Sequence, residues 1–240
     1  MTKIIALNHK MNLNYDLVNE YIERINKVKT DNKIIIIPSY LYIETFIKNT
    51  KYDIGSQNLS NELNGAFTGE VSSIQLNSIG AKYSLVGHSE RRNLFHETDE
   101  IINEKTRQCL NHGITPIICV GETLSEHNND ETLVKINNQI SHAILGLDDL
   151  NEKREIIIAY EPIYAIGTGK APEVKEIEIV INHIYEVLSK YDNIDFKILY
   201  GGSVNKENIK KILDINKLDG VLIGTISSKI EDIIKIIETV

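Results

Sequence analysis

Tryptophan is absent and phenylalanine occurs only four times, so a core built from this chain must rest on aliphatic side chains, mainly isoleucine. Cys109 and Cys119 are the only cysteines. Two are too few for a disulfide framework, and a reducing, cytosolic compartment fits. No apolar run reaches the ~18–20 residues that span a bilayer. The stretch from Met1 to Asn12 has no long apolar segment and no small-residue cleavage site, so it does not read as a signal peptide. Basic residues are outnumbered 26 to 34, for a formal net charge of -8. An acidic chain repels polyanions at long range, which argues against nucleic acid or an anionic membrane as partner. A small phosphate ester is still admissible, held by backbone N–H groups and one or two lysines. No linker, low-complexity tract or shift in composition divides the 240 residues, which predicts one domain over 1–240.

What is present is an alternation. Eight short aliphatic runs recur: Ile4–Leu7, Ile34–Ile37, Ile54–Gln57, Tyr83–Val86, Pro116–Val120, Ile156–Tyr160, Phe196–Tyr200 and Val221–Ile223. Nearly continuous apolar runs are expected of parallel strands covered on both faces. Between them lie stretches of helical period. One carries Val18, Tyr21, Ile22 and Ile25, another Ile177, Val180, Ile181, Ile184 and Leu188. A third carries Ile209, Ile212 and Leu213, and the last Ile230, Ile233, Ile234 and Ile237. Pro172 and Glu173 suit the start of the sixth helix. Eight strands alternating with helices over this length predict an α/β fold, a closed (β/α)8 barrel. An open doubly wound sheet usually needs a glycine fingerprint after the first strand, where this chain has Asn8-His9-Lys10.

Polar residues recur just past the C-terminal ends of these runs: Asn8 and Lys10, Gln57 and Asn58, His88 and Ser89, Glu122, Glu161, Gly201 to Ser203, and Gly224 with Thr225. In a barrel all these ends share one face, where barrel enzymes build their sites. A carboxylate (Glu161), an imidazole (His88) and an ammonium (Lys10) are the parts for abstracting a proton beside a carbonyl and stabilising the charge that develops on oxygen. Glycine-rich turns after the seventh and eighth strands offer N–H groups to a phosphate. Taken singly, each residue has a plainer reading. Lys10 is then a surface charge, Cys119 a small core residue, and Glu90 and Arg91 an ion pair beneath the site. The segment from Pro162 to Pro172 fails the P-loop pattern, because Tyr164 stands where a glycine is needed. It reads better as a lid with an apolar tip at Ala165 and Ile166, directly after Glu161. Cys109 and His112 lie one helical turn apart without a further ligand, so no metal is expected.

Seven segments, in order, together resemble the triosephosphate isomerase family: Asn8-His9-Lys10-Met11-Asn12, Gly65-Ala66-Phe67-Thr68-Gly69-Glu70, Gly87-His88-Ser89-Glu90-Arg91-Arg92, Cys119-Val120-Gly121-Glu122-Thr123, Ala159-Tyr160-Glu161-Pro162, Ala165-Ile166-Gly167-Thr168-Gly169-Lys170 and Tyr200-Gly201-Gly202-Ser203-Val204. The resemblance implies interconversion of dihydroxyacetone phosphate and D-glyceraldehyde 3-phosphate in the cytoplasm, as a step of glycolysis and gluconeogenesis, with no cofactor. It gives Glu161 the role of base, His88 that of neutral electrophile and Lys10 that of electrostatic partner. Asn8 orients Lys10 and the substrate oxygen, and Glu90 supports His88 and Lys10 from below. Phosphate falls to the N–H groups of Gly167, Ser203, Gly224 and Thr225. Thr68, in the loop Gly65–Glu70, reaches into the site of a second copy in a homodimer. Three departures stand out. His9 and Tyr164 replace tryptophans, and Thr225 replaces the second of two glycines, where a β-branched residue resists positive φ. A paralogue acting on a larger, tetrose phosphate is the nearest rival. A barrel that has lost catalysis and serves as a scaffold is another, and the intact Lys10, His88 and Glu161 argue against it.

Overall fold

The computed structural model describes residues 2–147, 153–165 and 172–240. Eight parallel strands close into a barrel in sequence order: β1 (Ile4–Asn8), β2 (Lys33–Ile37), β3 (Asp53–Ser56), β4 (Tyr83–Val86), β5 (Thr115–Val120), β6 (Arg154–Tyr160), β7 (Ile194–Tyr200) and β8 (Gly220–Ile223). Closure is made by β1 and β8, with Ile4 opposite Gly220 and Leu7 opposite Ile223. The predicted (β/α)8 barrel is therefore the observed fold. Strands β6 and β7 begin two residues before their apolar runs, and β3 ends at Ser56, which leaves Gln57 outside the ladder.

The strands are apolar where both of their faces are buried; charged residues such as Glu155, Asp195 and Lys197 stand toward the exposed N-terminal parts of β6 and β7. Ile35 and Ile37 point into the barrel with Ile4, Ala6, Leu85, Ile117, Cys119, Ile157, Ala159, Leu199 and Leu222. Ile34 and Ile36 point outward into a second, larger core beneath the helices. Cys119 is thus the small core residue its surroundings suggest.

The helices are α1 (Tyr15–Ile25), α2 (Ile43–Asn49), α3 (Ser73–Ser78), α4 (Ser89–Phe95), α5 (Asp99–Asn111), α6 (Leu124–Asn128), α7 (Thr132–Ala143), α8 (Val174–Leu188), α9 (Ile209–Leu213) and α10 (Ile230–Thr239). Their buried stripes follow the helical period. In α1, Val18, Tyr21, Ile22 and Ile25 face inward, and the Asn14 side chain caps the first turn by accepting from the Leu17 N–H. Helix α10 departs from expectation at one position: Ile236, not Ile234, joins Ile230, Ile233 and Ile237 in the core. Pro172 is not the first helical residue of α8. Glu173 is the cap, with its N–H donating to the Glu176 carboxylate. Among the described residues no helix is long and apolar enough to cross a membrane.

Candidate active site

At the C-terminal end of the strands a cavity of about 300 Å³ is lined by Asn8, Lys10, His88, Glu161, Gly201 to Asn205 and Leu222 to Ile226. Residues from β1, β4, β6, β7 and β8 converge there, because every strand of a parallel barrel ends on the same face.

Glu161 follows β6 directly and is 3% exposed, so any charge it carries depends on the groups around it. Its Oε1 lies 3.2 Å from His88 Nε2, and its Oε2 accepts from the Ser89 N–H at 3.3 Å. Close approach on two sides requires glycine. A Cβ on Gly121 would fall 1.8 Å from the Glu161 carbonyl oxygen, and one on Gly201 would fall 2.8 Å from Glu161 Cγ.

His88 caps α4. Its Nδ1 accepts from the Glu90 N–H at 3.2 Å, which requires a lone pair on that nitrogen. The ring proton of the neutral imidazole then sits on Nε2, facing Glu161.

Lys10 takes a left-handed backbone, with φ of 51°. Its N–H donates to Asn8 Oδ1 at 3.0 Å, and its carbonyl accepts from Ser39 Oγ at 3.1 Å and from Gln57 Nε2 at 2.8 Å. Three side chains, one at the end of β1 and two from the segments after β2 and β3, thus hold an unfavourable conformation that points the ammonium at the cavity. Lys10 Nζ meets Glu90 Oε1 at 2.6 Å. Burial pushes the Glu90 carboxyl up, but the Lys10 bond and charge, with His88 nearby, outweigh it and leave the group below the usual carboxylate range. The expected pairing of Glu90 with Arg91 does not occur. Arg91 turns instead to the buried Glu97, at 2.7 Å, which also holds Lys105. Consecutive residues of a helix point about 100° apart, so neighbours rarely pair with each other.

The other strand-end residues divide. Ser203, Gly224 and Thr225 line the cavity. The Ser203 hydroxyl donates to the Ala165 carbonyl at 2.9 Å. Thr225 opens a short 3-10 turn, Thr225–Ser228, and is not among the residues of positive φ. The anticipated backbone conflict at Thr225 is therefore absent. Glu122 does not reach the cavity. It lies fully buried behind Glu161, accepting from the Tyr160 hydroxyl at 3.0 Å. Asn58 likewise turns away, accepting from Lys105. Ala165, expected at the apolar lid tip, is buried in the turn Ile163–Ala165. Gly167 and the rest of the expected lid, residues 166–171, lie outside the described residues. Thr68 is exposed on the Gly65–Glu70 loop and lines no part of this chain's cavity.

Sequence reasoning missed Ser227. It is fully buried, and its hydroxyl donates to the Asn8 carbonyl at 2.5 Å while its own carbonyl accepts from Tyr21. This ties the Thr225 turn to β1. A serine in a Ser-Ser pair carries no signal of burial. His9, where a tryptophan was expected, packs edge-on to Tyr21 at 4.5 Å and beside Phe46 at 5.5 Å. Among the described residues neither ring nitrogen has a partner, and burial lowers its pKa to about 3.

Against known families, the chain matches the triosephosphate isomerase model over residues 3–240. It belongs to the triosephosphate isomerase family. The match spans every strand and every cavity residue named above, so family membership and cavity rest on the same segments. An isomerase acting on a small phosphorylated sugar is what membership supports.

Proposed function

We propose that the chain interconverts dihydroxyacetone phosphate and D-glyceraldehyde 3-phosphate through an enediolate, with residues 1–240 acting as one catalytic unit. The reading is carried by one observation: Glu161, His88 and Lys10 line a single cavity with the turns at Gly201–Ser203 and Gly224–Thr225. Glu161 is the base. Its carboxylate leaves the Ser89 N–H, takes a proton from the carbon beside the carbonyl and returns it to the neighbouring carbon. His88 donates from Nε2–H to the substrate oxygen that gains charge, and a neutral donor matched to an enediolate avoids trapping it. This family is the standing example of a carboxylate base paired with a neutral histidine at a helix N-terminus. Lys10 supplies a fixed positive charge to the anionic substrate and intermediate, while Asn8 and Glu90 hold it. Phosphate sits on the N–H groups of Ser203, Gly224 and Thr225, with Gly167 given the same role by family resemblance alone. The proton returns to the substrate and no electrons leave it, so the reaction calls for no cofactor.

We also read the working form as a cytoplasmic homodimer. Large exposed apolar residues occur in the segments after four adjacent strands, including helix α4: Met11 (95% exposed), Leu41 (83%), Phe67 (46%), Leu94 (70%) and Phe95 (61%). Large apolar side chains left exposed on one end of a barrel suit an interface. The Thr68 loop stands among them.

The deciding experiment is a coupled assay with D-glyceraldehyde 3-phosphate on the wild type and Glu161→Gln. A wild-type kcat/KM near the diffusional ceiling of ~10⁸–10⁹ M⁻¹s⁻¹, with kcat lowered about a thousandfold or more in the variant, is expected. Near-normal turnover by Glu161→Gln would remove that residue from the role of base. A wild type inert on both trioses would sink the assignment.

A further inference from the structure

Behind the cavity lies a cluster that the proposed chemistry leaves unused. His127, on α6, stacks on Tyr164 with centroids 4.3 Å apart and planes 30° apart. Its Nδ1 lies 3.8 Å from Oε1 of Glu122. Glu122 is fully buried, and among the described residues its Oε2 has no hydrogen-bond partner. The Tyr164 ring belongs to the turn Ile163–Ala165, which begins two residues after Glu161. That turn is pinned twice to this neighbourhood: the Ile163 N–H donates to the Glu122 carbonyl at 3.1 Å, and the Ala165 carbonyl accepts from Ser203 Oγ at 2.9 Å. His127 therefore touches a ring whose turn holds the hydroxyl of a phosphate-site residue.

We propose that His127 is a positioning residue whose protonation clamps the Ile163–Ala165 turn in this arrangement and so weakens phosphate binding. A neutral ring offers Tyr164 only a stack. A charged ring adds a cation over the aromatic face and a charge pair with Glu122, both favouring the turn as it stands. While the turn is held, the Ser203 hydroxyl proton is committed to Ala165 and is withheld from the substrate.

Burial pushes the Glu122 carboxyl up, while its own N–H, the Tyr160 hydroxyl, the His127 charge and Thr132 hold it back. Burial and Glu122 push the Tyr164 phenol up to about 12, with Glu176 of α8 adding to this. Tyr160 and Tyr200 are likewise pushed up, by burial first, so all three phenols stay neutral. Glu126, on the same helix, is already paired with Lys135 at 2.9 Å. Imidazole is the side-chain type suited to change charge between pH 8 and 5.5, and the His127 variants separate its part from that of the raised Glu122 carboxyl.

The proposal rests on the triose phosphate reading for its kinetic arm only. In the first arm, amide protection factors of Ile163 and Ala165 are measured by NMR at pH 8.0 and 5.5 in the wild type, His127→Phe and His127→Asn. Protection rising about three- to tenfold at low pH in the wild type alone is the expected result. An equal rise in the variants, or none in the wild type, would overturn the proposal whatever the enzyme acts on. In the second arm, the ratio of wild-type to His127→Asn KM for triose phosphate should sit near one at pH 8.0 and rise by a similar factor at pH 5.5, with the kcat ratio flat. Taking the ratio cancels the ionisation of substrate phosphate and of the reacting groups. A kcat effect without a KM effect would also refute it. No turnover in any of the three proteins would fell the substrate assignment and leave the exchange arm to decide this one.

Discussion

Replacing His9 with phenylalanine should remove an acid sensitivity that one buried ring confers. His9 is 1% exposed, and neither nitrogen has a partner among the described residues. Burial takes its pKa from 6.5 down to about 3. Between those two values the unfolded chain binds a proton that the folded chain refuses, so folding stability falls as pH falls. The contribution is complete above pH 6.5 and is lost progressively toward pH 3. From pH 7.5 to 5.0, one such group costs about 2 kcal/mol per protomer by linkage. His9→Phe should lose about that much less over the same interval, while carboxylates and exposed histidines change both proteins alike. The sign of the difference at pH 7.5 is not diagnostic. Removing two unsatisfied nitrogens stabilises, but a slightly larger ring in a packed site destabilises by a comparable ~1–3 kcal/mol. The assay is urea unfolding at both pH values and one fixed protomer concentration, since association adds to stability by mass action. Circular dichroism is the suitable probe in a chain without tryptophan. Parallel losses in the two proteins would refute the reasoning and would mean that a polar partner or buried water receives the charge on His9.

Thr225→Gly should leave the affinity for phosphate-bearing inhibitors within about twofold, because Thr225 is exposed and not at positive φ; it should lower stability by about 0.5–1 kcal/mol through the unfolded state. Tighter inhibitor binding, read by calorimetry, would show that the side chain crowds the site after all. Phe67→Asp, on the exposed Gly65–Glu70 loop, should convert a dimer to monomer in sedimentation velocity at micromolar concentration. A wild type already monomeric there would undo the interface reading.

The barrel was legible because its evidence is repetitive. Each strand has a stretch buried on two faces that must be apolar, and each long helix shows one stripe. Helices α5 and α7 escaped notice because they bury polar groups: α5 turns Lys105 and Thr106 inward with Ile102, Cys109 and Leu110. Lys105 is tolerated there only because Glu97 and Asn58 meet it. Nothing local announces such a partner.

For the site, sequence order alone placed Lys10, His88, Glu161 and the two glycine-bearing turns on one rim, because a parallel barrel fixes where strand ends go. Partnership belonged to the tertiary structure. Only the folded chain turned Arg91 from Glu90 to Glu97, set Glu122 against Tyr160, and tied Ser227 to Asn8. The physical reason is range. Periodicity and turn chemistry act over a few residues and are written into local sequence, whereas a hydrogen bond depends on directions and tenths of an ångström between segments that meet only once the barrel has closed.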